Sequence, residues 1–145
     1  MGVDVADASD VAASVARFGD RYLHRIYTED EIADCRGRPA ASAPASSAPA
    51  APVPAVWARS LAARFAAKEA TMKVLRPSGV PPAWRSIEVR RSSGGWPEMH
   101  LHGDAELLAA TSGVVGVSVS LSHHDDLATA VVVAVCQPHM RSDQA

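Results

Sequence analysis

Residues 39–56 read PAASAPASSAPAAPVPAV, and five prolines in 18 positions forbid both a continuous helix and a central strand there. Almost nothing in this tract can contribute to a core. The segment before it is too short to fold alone, so it must pack against the longer segment beyond the tract. The expected organisation is therefore one domain over 1–138, with 39–56 as an exposed, mobile insertion and 139–145 as a C-terminal tail. A chain of 145 residues with 48% apolar side chains can bury a real core.

Charge and patterning exclude several classes. A formal net charge of −2 offers no basic field for nucleic acid. The longest apolar run, Leu127 to Cys136, is about half the length of a membrane-spanning helix. The start, MGVDVADASD, has neither the basic nor the apolar region of a secretory signal, and Ala6 stands where a myristoylation motif needs a hydroxyl. Cys35 and Cys136 lie far apart without metal-type spacing, as expected of reduced thiols in a cytoplasmic protein.

Gly2 to Ala6 is a short strand with Val3 and Val5 on one face and Asp4 on the other; an edge strand with Asp4 in water accounts for that pattern. Ser9, as N-cap, opens a helix to about His24, which sets Arg17, Arg21 and Arg25 on one stripe. Thr28-Glu29-Asp30-Glu31 is a capping box that opens a second helix. Trp57 to Leu75 is the strongest helix, with Leu61, Phe65 and Met72 on one side and Pro77 beyond its end. Ile87–Arg91 and Glu98–His102 form a hairpin about Ser93-Gly94-Gly95, and Asp104–Ala110 is a short helix. Val115–Leu121 and Leu127–Val135 are strands joined by a polar turn, Ser122 to Asp126. This order predicts an α+β fold with a mainly antiparallel sheet and one long packed helix.

Positive charge is written almost wholly as arginine, twelve against two lysines. Both lysines, Lys68 and Lys73, fall on the long helix beside Glu69. Taken alone, Glu69 and Lys73 make an ordinary surface pair at i,i+4, worth about 0.2–0.5 kcal/mol. His100 and His102 share a strand face but have no third ligand in reach by spacing, and stay unassigned.

Gly2-Val3-Asp4, Arg64-Phe65-Ala66-Ala67-Lys68-Glu69-Ala70-Thr71-Met72-Lys73 and Ser120-Leu121-Ser122-His123, in this order, resemble the holo-acyl-carrier-protein synthases, the small class of 4′-phosphopantetheinyl transferases. Arg17-Phe18-Gly19-Asp20-Arg21, Tyr27 to Glu31 and Pro97…Leu101-His102-Gly103 add to the likeness, which spans all but the Ala/Pro tract and the tail. The resemblance implies transfer of phosphopantetheine from coenzyme A to a serine of an acyl-carrier protein. It implies Asp4 and Glu69 as ligands of magnesium, Arg64, Lys68 and Lys73 facing the coenzyme phosphates, and His123 near the nucleotide end. The proton acceptor stays open between Glu69 and a water on the metal.

Departures from the family pattern bear on the same expectations. Family members usually carry Gly-x-Gly-x-Asp, of which only the end is present, so the expectation is either a short first strand or a true start that lies upstream. They commonly have an arginine six residues after the metal aspartate to hold the acidic carrier, where this chain has Asp10. The Arg17, Arg21 and Arg25 stripe is then the expected dock. Ala6 occupies the place of the extra acidic ligand of the larger two-domain transferases, which favours the small class, a homotrimer with its active site between subunits. The alternative is a non-catalytic coenzyme A or nucleotide-binding module of the same fold.

Overall fold

The computed structural model describes residues 1–37 and 53–138; residues 39–52 of the predicted insertion and the tail from residue 139 lie outside the described residues, while the predicted insertion's last two residues, Ala55 and Val56, are the start of a helix. Its frame is a long helix laid across a sheet. α4 (Ala55–Leu75) buries Leu61, Ala62, Ala66, Ala67 and Ala70 completely. Five alanines between Ala58 and Ala67 are buried with it, and such small side chains let a helix approach a sheet closely. The sheet has the antiparallel order β1-β5-β4, where β1 is Gly2–Asp7, β4 is Val114–His124 and β5 is Leu127–Cys136. Ala128, Ala130 and Val132 of β5 meet the helix with no exposure.

β1 is an edge strand, as expected, but its faces are the reverse of what its apolar pattern implies. Val3 and Val5 are exposed, while Gly2 and Ala6 are buried and Asp4 is only partly exposed, on the α4 side. The approach is close enough that a Cβ on Gly2 would overlap the Ala70 carbonyl oxygen. A glycine is required there for contact rather than for backbone freedom.

The first helical region is two helices, not one. α1 (Ala8–Phe18) is capped by Asp7 rather than Ser9: the Asp7 carboxylate accepts the Ser9 N–H at 2.8 Å and the Ser9 hydroxyl at 2.7 Å, which hold it below the usual carboxylate range. Gly19, at φ 55° and ψ −136°, ends α1, and α2 (Asp20–Ile26) starts in a new direction. That backbone is open only to glycine, and it splits the predicted arginine stripe. Arg17 stays on α1, with its guanidinium 5.0 Å from the Phe18 ring centroid; Arg21 and Arg25 ride on α2.

α3 (Glu29–Arg36) carries the full capping box expected at Thr28 and Glu31. After α4 come a 3-10 turn (Trp84–Ser86), the hairpin β2 (Ile87–Arg91) and β3 (Pro97–Leu101), and α5 (Gly103–Thr111). β4 runs three residues further than its apolar pattern indicates, because Ser122, His123 and His124 pair with Thr129, Ala128 and Leu127. The loop shrinks to Asp125-Asp126, with Asp125 at φ 51° as a two-residue hairpin turn demands. α4 likewise begins two residues before Trp57, at Ala55, with Pro54 as its cap. No helix of the described residues is long and apolar enough to cross a membrane.

Candidate active site

Asp4, Glu69 and Lys73 come together where β1 crosses the second half of α4. The Lys73 ammonium donates to Asp4 Oδ1 at 2.7 Å and to the Val3 carbonyl at 2.8 Å, and is still half exposed. Glu69 lies one turn before Lys73, so both face the strand. Partial burial, and then the neighbouring Asp4 charge, push the Glu69 carboxyl above its usual range; Lys73 offsets part of this. Two carboxylates that repel each other, with a cation already bridging to one of them, form a donor set suited to a hard divalent ion. Among the described residues there is no group of three or more His, Cys, Asp and Glu side chains that could hold a metal, so any ion here would take only this pair from the chain.

Lys68 does not join them. It sits five residues before Lys73, about 140° around the helix, and has no exposure. Its ammonium donates to Glu31 Oε2 at 2.8 Å, to the Trp84 carbonyl at 3.0 Å and to the Ile87 carbonyl. All three N–H bonds are thereby used inside the core. Burial lowers the affinity of Lys68 for its proton, with Glu31 opposing. The expectation that Lys68 faces coenzyme phosphates is therefore corrected: Lys68 ties α4 to α3 and β2. Glu31 completes the knot, accepting the Thr28 N–H at 2.9 Å and the Val89 N–H at 2.9 Å.

Arg64 and His123 meet at the other half of α4, in a recess that also contains Arg59, Ser60 and Arg91. Arg64 donates to the Val89 and Ser60 carbonyls at 3.2 and 3.3 Å, and its only carboxylate neighbour among the described residues is Asp34 at 3.8 Å. The buried Nε of Arg59 has no acceptor. Three guanidinium groups and an imidazole around one recess, with an unmet donor among them, form a ready site for a phosphate. Sequence reasoning passed over Arg59 and Arg91. Arg59 is five residues from Arg64 and Arg91 ends a distant strand, so only the packing of β2 against α4 reveals the cluster.

A third feature is a cleft of about 760 Å³ beside α1 and α2. Val11, Phe18, Phe65 and Trp84 supply apolar wall, and Asp10, Arg21 and Arg25 supply charge. Phe65 and Trp84 pack at 5.6 Å between ring centroids. Arg17 is not part of this cleft.

An α+β fold with paired carboxylates, a lysine and a separate basic recess around one helix matches a known class. The family model described as the 4′-phosphopantetheinyl transferase superfamily matches residues 1–136, and the chain belongs to that family. Its relatives include a protein named holo-[acyl-carrier-protein] synthase from Koribacter versatilis, 37% identical over 91% of this chain and 94% of its own length. Another of the same name, from Moorella thermoacetica, is 39% identical over 91% of this chain and 90% of its own length. Among solved structures, the Chronobacterium ammoniagenes ACPS-CoA complex superposes with a TM-score of 0.72 at 25% identity, covering 94% of this chain and 96% of that one.

Proposed function

We propose that this chain transfers the 4′-phosphopantetheine group from coenzyme A to a serine of an apo acyl-carrier protein, in a magnesium-dependent reaction that leaves holo-carrier and adenosine 3′,5′-bisphosphate. The observation that carries this reading is the convergence of Asp4, Glu69 and Lys73 from two elements distant in sequence. In such a displacement the serine oxygen forms a bond to phosphorus, the bond to the nucleotide oxygen breaks, and the serine proton must be accepted. Alignment and charge neutralisation matter more than covalent participation of the protein. Asp4 and Glu69 would hold magnesium, which supplies charge neutralisation at the phosphates. Lys73 adds a fixed cation, and the raised proton affinity of Glu69 suits a proton acceptor. Arg64 and His123, with Arg59 and Arg91, would hold the nucleotide's ribose phosphate.

Two features support a homotrimer with the site shared between copies. Arg64 and Lys73 are nine residues apart on one helix, about 13 Å, and line separate recesses. A site assembled from one copy's carboxylates and another's basic recess would remove that gap. The outer face of the sheet is also open and apolar: Val3, Val5, Leu127, Val133 and Val135 are all exposed. A patch of this kind on a small chain favours self-association. A cytoplasmic location fits two cysteines that form no disulfide.

The acidic carrier would dock at the α1–α2 cleft through Arg21 and Arg25. The deciding experiment is incubation with coenzyme A, magnesium and a panel of apo-carriers, read by intact-protein mass spectrometry. Modification by the native chain, lost in Asp4→Ala and Glu69→Ala variants of unchanged fold, is the expected result. Normal modification by both variants would sink the site assignment. Coenzyme A binding by calorimetry with no transfer to any carrier would favour the non-catalytic module.

A further inference from the structure

α4 ends on a residue that its backbone disfavours. Arg76 caps the helix in the left-handed region, at φ 48° and ψ 59°, with its N–H on the Met72 carbonyl. Glycine is the usual occupant of such a cap, because any other side chain crowds the next carbonyl along the chain. Pro77 adds to the strain, since a residue before proline is driven towards extended backbone. Nothing in the fold rewards the arginine: it is exposed and takes part in no side-chain hydrogen bond or ion pair among the described residues. A strained backbone without a structural return is found where function needs the side chain.

The position identifies the need. Arg76 follows Lys73 by three residues, at the cap just beyond the last residue of α4. Lys73 and Arg76 together line a recess of about 390 Å³, whose lining also includes Met1, Val114 and Ala134. Lys73 is partly neutralised there by Asp4 at 2.7 Å. Arg76 is the uncommitted cation one turn further on.

Resting on the transfer reading above, we propose that Arg76 binds the pyrophosphate of coenzyme A beside Lys73, and that its left-handed cap is kept for this contact. A guanidinium offers a bidentate donor pair that a lysine cannot. The pyrophosphate contains the bond that breaks, and charge builds on its leaving phosphate, so the contact acts on both affinity and turnover.

The test compares the full chain with Arg76→Gly and Arg76→Lys, with magnesium, by calorimetric titration of coenzyme A and by steady-state transfer. Arg76→Gly is expected to weaken coenzyme A binding roughly tenfold, with kcat lowered as well and a melting temperature equal to or above the native one. Arg76→Lys recovers part of the affinity. With dephospho-coenzyme A, which lacks the ribose phosphate, the loss in the glycine variant is the same size. Unchanged affinity in Arg76→Gly overturns the proposal, as does a penalty that vanishes with dephospho-coenzyme A. A native chain that binds coenzyme A but modifies no carrier would overturn the transfer reading, and the calorimetric comparison would still decide Arg76. A native chain that binds no coenzyme A overturns both.

Discussion

The Lys68 ammonium lies 2.8 Å from Glu31 Oε2, and neither side chain has any contact with solvent. Around this pair, α3, α4 and β2 are pinned at one point: Glu31 also caps α3 and receives the Val89 N–H, and Lys68 also bonds the Trp84 and Ile87 carbonyls. A buried pair of this kind adds little over a well-packed apolar one, but breaking it leaves an uncompensated charge. Its consequence for function is indirect, because the rotation of α4 it helps set is the one that turns Glu69 and Lys73 towards Asp4.

Lys68→Met is therefore expected to cost about 3–5 kcal/mol of stability, measured by urea denaturation. Adding Glu31→Gln should return part of that loss, because the two side chains are coupled. The KM for coenzyme A of the folded fraction should stay near the native value. A raised KM with unchanged stability would restore Lys68 to the phosphate site.

Glu69 carries a different signature. Its folded-state pKa is raised by burial and by Asp4, so its ionised form is a net cost to the fold. In the absence of divalent ions, Glu69→Gln should melt above the native chain at neutral pH. The gain should shrink as pH falls through the folded-state pKa and vanish below the ordinary glutamate value. Scanning calorimetry across that range checks the sign; a gain that grows with acidity would contradict it.

The basic recess should discriminate one phosphate. His123→Ala removes an exposed side chain, and Arg59→Ala removes a guanidinium whose Nε has no acceptor. Each should raise the KM for coenzyme A roughly tenfold. With dephospho-coenzyme A as substrate, each variant should match the native chain. Equal losses with both substrates would place the recess elsewhere on the ligand.

The carrier face makes a salt-dependent prediction. Arg21→Glu and Arg25→Glu should raise the KM for the carrier, most at low ionic strength, since exposed charges are screened over about 8–10 Å. Arg17→Glu should matter less, because Arg17 lies outside the cleft. Asp10→Arg should lower the carrier KM under the same low-salt conditions. A flat salt profile for all four would exclude this face as the dock.

Much of this was legible in the chain. The capping box at Thr28, the long helix, the β2–β3 hairpin and the α+β class stand where local pattern puts them, because each rests on spacing or capping within a few residues. Three local readings failed, the first to a glycine inside the pattern and the other two to a neighbouring element that outweighed it. Gly19 broke a helix whose apolar periodicity runs on past it. His123 and His124 became strand through their partners on β5. Val3 and Val5 were turned outward because α4 needs the glycine side of β1.

The long helix states the division most clearly. Its motif, from Arg64 to Lys73, taken with Gly2-Val3-Asp4 and Ser120 to His123, carried a resemblance to the phosphopantetheinyl transferases, and that resemblance nominated Asp4, Glu69 and Lys73 together with Arg64, Lys68 and His123. It could not separate its two lysines. Five residues turn a helix by about 140°, so one faces inward if the other faces the strand, and identity alone does not say which. Tertiary packing decided it: α3 brought a buried carboxylate to Lys68, and β1 brought Asp4 to Lys73.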